Sequence, residues 1–76
     1  MVLTAAEFCQ FNLKSRIQLL KKDGILITVR NVVDKFIVEL YELYKFLVEV
    51  IIKLKNNEII KAEPALNRGI IDLYNY

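Results

Sequence analysis

Val32-Val33-Asp34-Lys35-Phe36-Ile37-Val38-Glu39-Leu40-Tyr41-Glu42-Leu43-Tyr44-Lys45-Phe46-Leu47-Val48-Glu49-Val50-Ile51-Ile52-Lys53-Leu54-Lys55 is the stretch on which the fold turns, because it fits two periods. At 3.6 residues per turn, Phe36, Ile37, Leu40, Tyr41, Tyr44, Leu47, Val48 and Ile51 line one face of a long helix. At a period of two, Phe46, Val48, Val50, Ile52 and Leu54 interleave with Lys45, Glu49, Lys53 and Lys55, and Phe36, Val38 and Leu40 repeat the pattern on the preceding run. The β-branched residues decide between the two. Valine and isoleucine lose side-chain freedom in a helix and pack well on a pleated surface. The stretch therefore predicts two strands joined by a turn near Tyr44-Lys45.

Working downstream, Asn56-Asn57 marks the next turn, since asparagine tolerates positive φ. Pairing Leu54 with Glu58 across an odd loop sets Ile60 opposite Ile52 and Ala62 opposite Val50. That register buries more apolar surface than its even alternative, and it asks for an asparagine in the left-handed region. Pro64 lacks the N–H a ladder needs and ends the strand. The tail carries Leu66, Ile70, Ile71, Leu73 and Tyr74, enough for a short turn or helix, although Gly69 weakens a continuous one.

Upstream, Ile25-Leu26-Ile27-Thr28-Val29-Arg30 is β-branched and short, which reads as a further strand. Before it, Thr4 and Glu7 form a capping-box pattern, and Ala5, Phe8, Cys9, Leu13, Ile17 and Leu20 recur at helical spacing. Helix is expected between Thr4 and Lys22. Asn12 leaves two versions open: one continuous helix, or a short turn and a second helix from Leu13. Lys21 and Lys22 suit the negative end of the dipole, and Gly24 suits a left-handed helix stop. Cys9 falls on the apolar stripe, where it reads as a small buried hydrophobe.

Composition bounds the rest. Seventy-six residues make one domain, spanning 1–76, with a thin core. A hydrophobic share of 55% is hard to hide in so short a chain, which favours an oligomer or a bound partner. Eleven basic and nine acidic side chains give a charge of +2, too mild to announce nucleic acid or an acidic membrane. The single cysteine forbids an intrachain disulfide and points to a reducing, cytoplasmic setting. Met1 to Glu7 does not read as a secretory leader, and charges interrupt every apolar run long enough to span a bilayer. Histidine is absent, and with it the commonest acid–base catalyst and metal ligand. No cofactor is expected.

Phe8-Cys9-Gln10-Phe11, the helix running into Lys22-Asp23-Gly24, and Leu40-Tyr41-Glu42-Leu43-Tyr44-Lys45-Phe46-Leu47-Val48-Glu49-Val50 together resemble a group of short uncharacterised bacterial proteins. The resemblance covers roughly residues 8 to 63 and implies an N-terminal helix, a glycine-started strand and an antiparallel meander. Its motifs are structural and imply no activity. Ile51-Ile52 departs from the pattern, which has tyrosines there.

The expected architecture is α+β: an N-terminal helix on a three- to four-stranded antiparallel meander. If Phe36, Val38, Leu40, Phe46, Val48, Val50 and Ile52 face that helix, the other sheet face carries Ile37, Glu39, Tyr41, Leu47, Glu49, Ile51, Lys53, Ile59 and Lys61. A solvated sheet face is mostly polar, and this one is half apolar. Either the tail residues fold over it or it meets another chain. Ile37, Tyr41, Leu47, Ile51 and Ile59 are the candidate contact patch of a non-enzymatic interaction module that forms a homodimer. The alternative is a small nucleic-acid-binding protein using Lys14, Arg16, Lys21, Lys22 and Arg30, although a solvated helix face explains the same residues. Glu39 and Glu49 on neighbouring strands invite an acid–base reading, but interleaved lysines make them surface charges.

Overall fold

The computed structural model describes residues 2–32 and 35–65. The turn or helix expected for the C-terminal tail lies outside these described residues. Helix α1 (Ala5–Phe8) starts at a complete capping box: Thr4 Oγ1 accepts from the Glu7 N–H at 3.2 Å, and Glu7 Oε1 accepts from the Thr4 N–H at 2.9 Å. Helix α2 (Leu13–Asp23) starts afresh at Asn12, whose Oδ1 accepts from the Ser15 N–H at 2.9 Å. Of the two helix versions, the divided one forms. Gly24 ends α2 in extended backbone (φ −76°, ψ 145°), not in the expected left-handed region. Its N–H donates to the Leu20 carbonyl at 2.9 Å, and a Cβ there would lie 2.6 Å from that oxygen. Close approach of backbone to backbone, and not the sign of φ, is what requires glycine here.

Four antiparallel strands follow in sequence order: β1 (Ile25–Val32), β2 (Phe36–Leu43), β3 (Phe46–Lys53) and β4 (Glu58–Pro64). The fold is α+β, an open meander with the helices on one face. β2 and β3 pair without interruption from Phe36 opposite Lys53 to Leu43 opposite Phe46. Tyr44-Lys45 joins them, with Tyr44 at φ 56°. This even loop decides which side chains share a face. It places Ile37, Glu39 and Tyr41 opposite Ile52, Val50 and Val48. The expectation for β3 stands, since Phe46, Val48, Val50 and Ile52 pack against the helices. The expectation for β2 is overturned. Its helix-side residues are Ile37, Glu39, Tyr41 and Leu43, while Phe36, Val38 and Leu40 share the far face with Leu47, Glu49 and Ile51.

The β3–β4 connection meets only half of the expected pairing: its loop is even and not odd, and Ile59, not Ile60, sits opposite Ile52. Ala62 sits opposite Val50, but Lys53 pairs with Glu58 across a loop running from Leu54 to Asn57. A register shift beside Ile51 and Ile52 then absorbs one residue. Asn57 adopts the left-handed backbone asked of it, φ 56°, and Asn56 Oδ1 accepts from the Glu58 N–H at 3.1 Å. The bulge lets Ile59 and Ala62 both face the helices, and leaves Ile60 exposed.

The helix-side core consists of Phe8, Leu20, Leu43, Val48, Val50 and Ala62, ringed by Leu13, Leu19, Tyr41, Phe46, Ile52 and Ile59. Phe8 meets Phe46 edge to face, with centroids 5.6 Å apart. Arg16 pins the corner between the helices. Its Nε donates to the Phe11 carbonyl at 2.9 Å, and its two terminal nitrogens donate to those of Ala62 and Cys9 at 2.8 Å each. The guanidinium also lies 5.5 Å from the Phe8 ring centre. Cys9 is exposed and not buried as expected, because α1 stops at Phe8 and the apolar stripe is broken there. On the far face Val38 and Leu40 are buried as well, Leu40 to 1% exposure.

Candidate interaction surface

β1 reads Ile-Leu-Ile-Thr-Val-Arg-Asn-Val, apolar without alternation over most of its first half. Such a run belongs to a strand covered on both faces and flanked on both edges. The fold gives it the opposite position. β1 ends the strand order, and α2 lies over β2 and β4. Ile25, Leu26, Ile27 and Val29 are accordingly 62%, 48%, 51% and 49% exposed. Opposite Tyr41 and Glu39 respectively, Leu26 and Val29 belong to the helix-side face. Ile25 and Thr28 belong to the far face, and the register shift between Leu26 and Thr28 falls at Ile27.

The two edges of the sheet differ in kind. β4 carries Glu58, Lys61, Glu63 and Pro64, and Lys61 Nζ lies 3.3 Å from Glu63 Oε2. Charges and proline are the usual guards against a strand being extended by another chain. In the first five residues of β1 there is neither.

The five residues of the expected contact patch do not share a face. Ile37, Tyr41 and Ile59 are on the helix side, and Tyr41 and Ile59 pack against the core. Leu47 and Ile51 are on the far face beside Leu40, all but Leu40 half-buried. The even β2–β3 loop and the β4 bulge cause the split. The apolar surface that the sequence reading missed is β1, and its signal was the lack of alternation in Ile25-Leu26-Ile27.

The basic residues are also separated. Lys14, Lys21 and Lys22 are exposed on α2, whereas Arg16 is committed to three carbonyls and a ring. Arg30, opposite Val38, belongs to the far face and not to the helix side. Glu39 and Glu49 point to opposite faces, so they form no carboxylate pair. Glu39 instead accepts from the Tyr41 hydroxyl at 2.8 Å. Partial burial, followed by that hydrogen bond and the carboxylate's charge, pushes the Tyr41 pKa up to about 12. A small pocket of about 90 Å³ lies beside this pair, bounded by Ile17, Leu20, Lys21, Val50 and Ile59. At the hairpin, Tyr44 donates to Asp23 Oδ2 at 2.7 Å, which raises the Tyr44 pKa.

A shallow groove of about 520 Å³ between α1 and β4 is lined by Ala5, Ala6, Cys9, Arg16, Glu63 and Pro64. Three of the five Arg16 N–H groups are already given to backbone carbonyls, and Glu63 is the one other charged group in the lining, so the groove offers few groups to orient a ligand. Among the described residues, no group of histidine, cysteine or carboxylate side chains is arranged to hold a metal, and no helix is long and apolar enough to cross a membrane. Comparison with protein-family models, curated proteins and solved structures finds no match to the chain.

Proposed function

We propose that this chain is a non-enzymatic protein-interaction module that self-associates, with β1 as its contact strand. One observation carries the reading: a strand with the composition of a sheet interior stands at the sheet edge with Ile25, Leu26, Ile27 and Val29 about half exposed or more. The lack of histidine and the separation of Glu39 from Glu49 favour a binding role over catalysis. An exposed thiol at Cys9 suits a reducing compartment such as the cytoplasm.

Sedimentation of the full chain across a wide concentration range tests this. The expected result is mass rising above that of the monomer with concentration, and a folded monomer for Leu26→Lys, whose side chain is 48% exposed. A monomer at every concentration, or unchanged association in Leu26→Lys, refutes the proposal.

A further inference from the structure

We infer that the occupant of the β1 edge is a second copy of β1, antiparallel to the first, giving a closed two-fold dimer with one continuous sheet. This rests on the reading of β1 as the contact strand and adds the partner's orientation and the stoichiometry. Three observations support it.

First, a strand that offers apolar side chains on both faces cannot be covered by packing against one face alone. Leu26 and Val29 project to the helix side, and Ile25 projects to the far side. Pairing edge to edge places a neighbouring strand beside both sets at once. Second, β1 is complementary to its own reverse. A two-fold axis between Ile27 and Thr28 sets Leu26 beside Val29 of the second copy, two residues that share the helix-side face. The same axis keeps the two Arg30 side chains, the only charges in the strand, from facing one another. Third, only one edge is adhesive. With β4 guarded by Glu58, Lys61, Glu63 and Pro64, an isologous β1 contact closes at two copies and does not propagate.

Area sets the size class of the contact. The four exposed side chains offer roughly 400 Å² per copy, about half of the ~800 Å² per partner in a standard interface. Main-chain hydrogen bonds along the paired edge add to this, so a dimer that dissociates on dilution is expected.

Hydrogen exchange of the full chain, read at concentrations below and above the mass transition, tests the inference. The expected result is a doubling of mass together with at least tenfold slower exchange in residues 25–32, at the amides that point away from β2. A mass doubling without that slowing refutes edge pairing while leaving self-association standing. A series of species larger than a dimer refutes closure. A monomer throughout removes both this inference and the reading beneath it.

Discussion

Replacing Arg16 puts the helix corner under direct test. Its guanidinium holds the carbonyls of Cys9, Phe11 and Ala62, the last of these joining residues far apart in sequence across a part-buried contact. A hydrogen bond from a charged donor to a part-buried carbonyl contributes about 1.5–3 kcal/mol, whereas water replaces the two exposed contacts at little cost. The cation–π contact with the Phe8 ring adds about 0.5–1 kcal/mol. Arg16→Ala should therefore cost about 2–4 kcal/mol. Arg16→Lys should cost about 1–3 kcal/mol, because one ammonium cannot fork toward three divergent carbonyls. For a chain this size, where total stability is about 4–11 kcal/mol, either loss is large. Urea denaturation at fixed m-value reads both. A midpoint for Arg16→Ala within about 0.5 kcal/mol of the parent would refute the argument. A parent-like midpoint for Arg16→Lys would show that the fork geometry contributes nothing.

Two further outcomes follow from other contacts of the fold. Gly24→Ala should destabilise the fold by about 1–3 kcal/mol, since its Cβ meets the Leu20 carbonyl at 2.6 Å and both groups are backbone; a thermal midpoint equal to the parent's would contradict this. Tyr41 carries a folded pKa of about 12, above the ordinary 10, so its contribution to stability is complete below pH 10 and is lost as pH rises through 12. Tyr41→Phe should flatten the fall in stability over that interval, and ultraviolet titration of the parent should show one tyrosine ionising near pH 12 that the variant lacks.

How far the sequence could be read differs between the levels of the fold. Local signals were legible. Thr4 with Glu7, Asn12, the strand at Ile25 and the left-handed asparagine all act within a few residues, and each sits where its chemistry requires. Facing was not. Phe36-Val38-Leu40 and Ile37-Tyr41-Leu43 are nearly equal as apolar sets, so hydrophobicity alone does not choose the helix-side face of β2. A two-residue loop at Tyr44-Lys45 chooses it, and one more residue there would choose the other. The same limit displaced the contact patch. Ile59 and Ala62 share a face only because of a bulge, a feature without a local pattern of its own. Position within the sheet was also invisible: Ile25-Leu26-Ile27 has the signature of a middle strand, and only the strand order reveals it as an edge. Cys9 was misplaced for a smaller reason, the early end of α1.

The uninterrupted ladder between β2 and β3 also bears on the order in which the chain assembles. Its ends are two residues apart and its register contains no shift, whereas both outer strands must accommodate one. Closing a short loop loses little chain entropy, and such hairpins form in about 1–10 μs. The central hairpin is thus the natural nucleus, with β1 joining a template already in place. Truncations at Leu43 or Phe46 would slow folding, while those at Leu26 would chiefly hasten unfolding. On that account, the strand with the least cover in the finished monomer is also the one whose contacts weigh least on the barrier to folding.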